Sequence, residues 1–348
     1  MKTYCKNLVI EKRMIVAAYQ KWLTAQSGHK NAWRVLEEYG CAQSLIDEIY
    51  SEISSRSLTF KSIHRYRYIE KTNGKERLIG VESVKQQVVD YLAIDCLEQF
   101  LKAKIGFYQV ASIKGKGQLF AAKTAQKWVK QNPSTYWVHL DIRKCYPSIK
   151  PDLVMAILRK YVRSDDVLYV CKSLLSTYSN ELEIGSYFSL RISQLVLSFG
   201  YHYLENLAFE RRGRRLPLLD HQLWYADDVF LLSRNKRALK QAAKKLTEFF
   251  TQHFSLQIKD WKVCRLPNEP IDVVGFRIGQ DSITLRSSIF LRARRAFLQF
   301  EKQPTLEAAY RVCSYWGWLK NSDTFLFQQK IDAQRIFNSA RRLISERN

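Results

Sequence analysis

Trp224-Tyr225-Ala226-Asp227-Asp228-Val229-Phe230-Leu231-Leu232 is the stretch on which the reading of this chain turns. Two adjacent acids stand between aromatic and β-branched residues that read as two short strands joined by a tight turn. Burying a carboxylate is costly unless it is paired or binds a metal, and neighbouring carboxylates repel each other. An Asp-Asp pair in so apolar a setting is therefore offered to a cation. Taken alone, a solvated Asx-type turn is the commoner fate of such a pair, so the rest of the chain has to decide.

The bulk numbers narrow the field. A 348-residue chain that is 46% hydrophobic and 26% charged can bury a core and hold two or three subdomains. Its 56 basic and 33 acidic residues leave a formal charge of +23, which points to a polyanion, most often nucleic acid. Thirteen per cent aromatics suits that partner, because bases stack on aromatic rings. No run of 18 apolar residues is present and the first residues are charged, so neither a membrane span nor a signal peptide is expected. The seven cysteines are scattered and never form Cys-x-x-Cys. That spacing argues for reduced thiols in a cytoplasmic protein and against structural zinc.

Residues 6–56 carry helical periodicity, with a break expected in Ser27-Gly28-His29-Lys30-Asn31. From Ile63 to Ile69 the pattern alternates, Thr72-Asn73-Gly74-Lys75 supplies a turn, and Glu76 to Gly80 returns. This hairpin carries Arg65, Arg67, Lys75 and Arg77. It reads either as a ribbon gripping phosphates or as a solvated edge strand protected by charge. One amphipathic helix is expected from Val84 to Leu101. Lys114-Gly115-Lys116-Gly117 precedes a helix over Leu119–Val129, an arrangement that lets amides and ammonium groups approach phosphate, although the Walker spacing is missing.

Trp137 to Leu140 reads as a buried strand that ends at Asp141, with Tyr146 five residues on and Pro151 opening a helix to about Val162. If this strand neighbours the Asp227-Asp228 hairpin, three carboxylates meet. Glu183-Ile184-Gly185-Ser186-Tyr187-Phe188-Ser189 leads into a helix expected from Ser189 to Arg211, ending in Arg211-Arg212-Gly213-Arg214-Arg215. Lys236–Phe254 is an amphipathic helix. Leu256–Ile258, Ile271–Ile278 and Ser282–Leu285 read as strands, and the remainder as helical, with a last helix from Thr324 towards Arg342. From Arg286 to Asn348 there are 12 basic and 5 acidic residues, which suits a bundle with one phosphate-facing side.

In this order the parts resemble a prokaryotic reverse transcriptase, from about Ile63 to Leu319. The resemblance rests on Asp141-x-x-x-x-Tyr146, Gly185-x-x-x-Ser189 and Tyr225-Ala226-Asp227-Asp228. It implies an α+β right-hand polymerase fold: a helical N-terminal extension (1–60), fingers and palm with an antiparallel sheet (61–285), and a basic helical thumb (286–348). It implies RNA-directed DNA polymerase activity, with Asp141, Asp227 and Asp228 as metal-binding acids for two Mg²⁺ ions (Mn²⁺ being an alternative). The Ile142 carbonyl would be a further ligand. By the same likeness Lys75 and Arg77 hold the triphosphate, Tyr146 excludes a 2′-hydroxyl, and Gly185 and Ser189 meet the template base and nucleotide.

Arg65, Arg67, Lys114, Lys116, Arg214, Arg215, Arg292, Arg294 and Arg295 are the candidate nucleic-acid contacts. The implied partners are an RNA template, a DNA primer and product, and dNTPs, with no membrane. The loop Ile184-Gly185-x-x-x-Ser189 looks like that of diversity-generating and unknown-group, defence-associated bacterial enzymes. Leu190 departs from the Gln that usually follows the Ser. The expectation is an antiphage-defence enzyme copying a dedicated non-coding RNA. The alternatives are a diversity-generating enzyme and an RNA-binding module without catalysis.

Overall fold

The computed structural model describes residues 2–25, 28–70, 74–132 and 135–346. In chain order the elements begin with α1 (Lys12–Ala25), α2 (Gly28–Tyr39), α3 (Ala42–Ser54), β1 (His64–Ile69), β2 (Glu76–Val81), α4 (Val84–Cys96) and α5 (Glu98–Lys104). They continue with α6 (Gln118–Gln131), β3 (Tyr136–Asp141), α7 (Cys145–Ser148), α8 (Pro151–Tyr161), α9 (Asp165–Ser176) and α10 (Tyr187–Asn206). Next come β4 (Ala208–Arg211), β5 (Arg214–Pro217), β6 (His221–Tyr225), β7 (Asp228–Ser233), α11 (Lys236–Phe254) and β8 (Cys264–Arg265). The chain closes with β9 (Ile271–Val273), β10 (Phe276–Ile278), β11 (Ile283–Leu285), α12 (Ser287–Lys302), α13 (Leu306–Lys320), α14 (Phe325–Lys330) and α15 (Ala333–Ser345). No described helix is long and apolar enough to cross a membrane.

The chain divides into two compact units. The first comprises Met1–Phe107, Ile142–Leu204 and Leu246–Lys259. Its core forms where α1 lays Ile15, Ala18 and Trp22 against α4, while α3 contributes Leu45, Ile46, Ile49 and Ile53. A buried cation ties these helices together: the Lys85 ammonium donates to Glu48 at 2.8 Å and to Glu52 at 2.7 Å. Ser83 caps α4, its hydroxyl accepting the Gln86 N–H. β1 and β2 pair antiparallel with Arg67 opposite Leu78.

The second unit comprises Tyr108–Asp141, Glu205–Lys245 and Asp260–Asn348. Its four-stranded antiparallel sheet runs in the order β6-β7-β3-β8. Val138, Leu140, Val229 and Leu231 alternate onto one face and are all fully buried. On the opposite face Trp137, Phe230 and Leu232 join a core that continues through β9–β11 into Phe297, Phe300, Val312 and Ile336 of the C-terminal helices. Sheet and basic tail therefore share one hydrophobic core.

Several boundaries differ from the sequence expectation. The helix read over Val84–Leu101 divides at Leu97 into α4 and α5. The helix read to Arg211 stops at Asn206, and the arginine cluster belongs to a hairpin instead. Arg211 pairs with Arg214 around a two-residue turn with Arg212 at φ +50° and Gly213 at φ +70°, the doubly positive geometry that fits the twist of flanking strands. The run Ile271–Ile278 folds back on itself in the same way, with Val274 at φ +43° and Gly275 at φ +97°. Leu256–Ile258 contributes a single bridge from Ile258 to Ile142 in place of a strand. The last helix breaks at Asp332, φ +49°, into α14 and α15. Near the N-terminus, Gly28–Asn31 opens α2 where a break was expected, and the expected turn residues Thr72 and Asn73 lie outside the described residues.

Candidate active site

β3 and β7 run antiparallel, and their register sets Asp141 directly opposite Asp228. β6 and β7 close with Tyr225 opposite Asp228, so Ala226 and Asp227 form a two-residue turn. Ala226 takes the left-handed conformation at φ +53°. That geometry normally falls to glycine, because a Cβ there costs about 1–2 kcal/mol. Strain of this kind collects at functional sites. Asp141, Asp227 and Asp228 thus share one end of two neighbouring strands, and each is partly exposed.

One side chain that the sequence reading did not single out holds part of this group. His139 stands two residues before Asp141 and so on the same face of β3. Its Nε2 lies 2.7 Å from Asp228 Oδ1. Its ring is stacked on Phe230, with centroids 4.6 Å apart and planes within 5°. The alternation Trp137-x-His139-x-Asp141 was the available signal. Burial pushes the Tyr225 phenol above its usual range, and the Asp228 charge adds to the effect.

All three carboxylates are hard oxygen donors, the type preferred by Mg²⁺. Among the described residues no three His, Cys, Asp or Glu side chains are gathered closely enough to hold an ion as they stand. The register nonetheless brings the three acids to one strand end. In donor chemistry the residues fit a divalent cation.

In the first unit, the loop ahead of α10 is strapped to the β1–β2 hairpin. The Gly80 N–H donates to the Ile184 carbonyl at 2.8 Å. Arg65 donates through Nε and Nη2 to Glu183 Oε2, at 3.0 and 2.7 Å. Gly185 sits exposed at φ +118°. Ser189 is fully buried, its hydroxyl accepting the Glu183 N–H at 3.1 Å. The start of α10 rests on Asp90, whose Oδ2 accepts from the Ser186 hydroxyl at 2.8 Å and the Phe188 N–H at 2.9 Å. The hairpin carrying Lys75 and Arg77 is thereby joined to the Gly185 loop. Lys75 is exposed just before β2, and Arg77 donates to Glu70 at 2.6 Å.

Ile142 is buried, and Tyr146 is half-buried in the single turn α7. The expected nucleic-acid residues fall into separate groups. Arg65 is engaged by Glu183, while Arg67 is exposed on β1 with Glu76 at 3.2 Å. Lys114 is exposed and Lys116 lies over the Phe120 ring at 5.8 Å. Arg214 and Arg215 are exposed on β5, with Arg215 donating to the Asn206 carbonyl at 3.1 Å. On α12, Arg294 and Arg295 are exposed, and Arg292 donates back to the Ser288 carbonyl at 3.0 Å.

A comparison with curated proteins finds no match. The family profile described as reverse transcriptase (RNA-dependent DNA polymerase) matches residues 69–278, a stretch that includes Asp141, Gly185 and the Asp227-Asp228 turn. Enzymes of that family generally use divalent metal ions. With more than half of its length matched, on the segment that carries the paired strands and their acids, the chain belongs to the reverse transcriptases, RNA-directed DNA polymerases that act as nucleotidyltransferases.

Proposed function

We propose that the chain extends a primer with dNTPs on a dedicated non-coding RNA template, using two Mg²⁺ ions held by Asp141, Asp227 and Asp228, in bacterial antiphage defence. The observation that carries the metal reading is the β3–β7 register, which sets Asp141 opposite Asp228 beside the strained Ala226-Asp227 turn. Bound there, a pair of divalent ions roughly 4 Å apart would activate the primer hydroxyl and offset charge on the transferring phosphate.

The chain's own residues would supply the rest. Lys75 and Arg77 hold the triphosphate, the Ile142 carbonyl adds an oxygen donor, and Tyr146 blocks a 2′-hydroxyl. Gly185, exposed in its loop, meets the template base. Residues 61–285 act as fingers and palm and 286–348 as a thumb, with Arg294 and Arg295 on the phosphate backbone. Exposed arginines on β5 suit the same polyanion. Support for the defence role is the Ile184-Gly185-x-x-x-Ser189 loop.

Primer extension with dNTPs and Mg²⁺ tests the chemistry: Asp227→Ala abolishes incorporation, and survival of incorporation in that variant would overturn the metal assignment. Sequencing RNA and DNA that co-purify with the protein tests the template. One abundant RNA with its complementary DNA supports the reading. A heterogeneous RNA population without DNA would favour a non-catalytic RNA-binding module.

A further inference from the structure

His139 reaches across from β3 to Asp228 on β7, the residue after Asp227 and the register partner of Asp141. A carboxylate can only accept, so His139 Nε2 carries the hydrogen and donates it to Oδ1 over 2.7 Å. The imidazole is not free to swing away. Its face lies on Phe230 at 4.6 Å, nearly parallel, and Phe230 is buried in the sheet core. The donor is therefore set by a rigid element, and it takes up one of the two Asp228 oxygens. This bond leaves Oδ2 unengaged. Both side chains are about a third exposed, 37% each, so the bond stands at the rim of the site.

We propose that His139 is a positioning residue: its Nε2–H fixes the orientation of the Asp228 carboxylate and so sets the affinity of the acidic site for its divalent cation. This rests on the reading of Asp228 as a metal-binding acid. The physical ground is general. A ligating carboxylate that is also hydrogen-bonded to a fixed donor loses less rotamer freedom when the ion arrives. Removing such a partner typically weakens metal binding or activity about 10- to 100-fold.

The test uses the full chain with Mn²⁺ as probe, measured by calorimetry or electron paramagnetic resonance without nucleic acid. The Mg²⁺ concentration at half-maximal dNTP incorporation is followed alongside. His139→Phe keeps a ring on Phe230 and removes the donor; His139→Leu is a second donor-free variant; His139→Gln restores an N–H at the same reach. The donor-free variants should bind Mn²⁺ about 10-fold more weakly and need about 10-fold more Mg²⁺, with the dNTP KM unchanged, and His139→Gln should recover most of the loss. Unchanged Mn²⁺ binding in folded His139→Phe and His139→Leu, with Asp228→Ala abolishing it, overturns the role of His139 and leaves the metal site standing. Unchanged Mn²⁺ binding in Asp228→Ala and Asp141→Ala overturns the underlying reading instead.

Discussion

Gly185 lies so close to Gly80 that a Cβ added to it would stand 2.3 Å from the Gly80 carbonyl oxygen. The two residues flank the hydrogen bond from Gly80 N–H to Ile184 O, and Gly185 itself sits at φ +118°. Space and backbone conformation therefore both require glycine. Gly185→Ala should destabilise the protein by on the order of 3 kcal/mol, from a strained backbone plus displacement of the hairpin. Urea unfolding measures it. A stability equal to wild type would show that the loop and hairpin are not docked in this way.

Behind that loop, Glu82 and Asp90 are both buried, and among the described residues Asp90 Oδ1 meets no hydrogen-bond donor. Burial, and then the Asp90 charge, push the Glu82 carboxyl far above the usual carboxylate range. Burial likewise raises Asp90, against the hydrogen bonds from Phe188 N–H and Ser186. The folded pair therefore keeps a proton that the unfolded chain has released. Between the ordinary carboxylate pKa and the raised folded value the native state binds more protons, so stability falls as pH rises. Unfolding free energies at pH 6 and pH 9 should show a decline in wild type that Glu82→Gln flattens. Parallel profiles for the two proteins would mean that the pair does not share a proton.

At the Asp-Asp turn the strain sits on Ala226 rather than on an acid, at φ +53°. Glycine adopts this region without the Cβ penalty, so Ala226→Gly should raise stability by about 1 kcal/mol. Stability bought at a strained site commonly lowers activity, and the rate of incorporation should fall in the same variant. Thermal unfolding and single-turnover primer extension read the two effects. A loss of stability would place the strain elsewhere.

What the sequence made legible follows from the reach of local patterns. The hairpin His64–Val81, helix α11 and the apolar strand ending at Asp141 declare themselves in residue periodicity. Asp141, Asp227 and Asp228 stand out because acids in apolar strands break that pattern, and β3–β7 pairing places Asp141 opposite Asp228. The β4–β5 hairpin was hidden, since Arg211-Arg212-Gly213-Arg214-Arg215 reads as a charged helix end until Arg212 and Gly213 are seen at positive φ. His139, Glu82 and Asp90 were missed for another reason. Their significance lies in partners 89, 96 and 96 residues away along the chain, in Asp228, Tyr178 and Ser186. No local period encodes such pairings.

Arg65 separates a structural from a nucleic-acid role most cleanly. As a residue of a basic hairpin it reads as a phosphate contact. In the structure its guanidinium is bound through two nitrogens to Glu183, whose side chain is only 7% exposed. Removing one partner of such a pair leaves a buried charge uncompensated, at a cost of about 3 kcal/mol. Arg65→Ala should therefore lower the unfolding free energy by about that much, and Glu183→Gln in the same chain should restore part of it. A phosphate contact would instead change the salt dependence of RNA binding, reducing the slope of log K against log salt by about 0.7 for a single strand. The expected outcome is a large loss of stability with an unchanged slope, measured by urea unfolding and by RNA titrations at several salt concentrations. The reverse result, a changed slope with stability intact, would move Arg65 from the hairpin's anchor to the RNA.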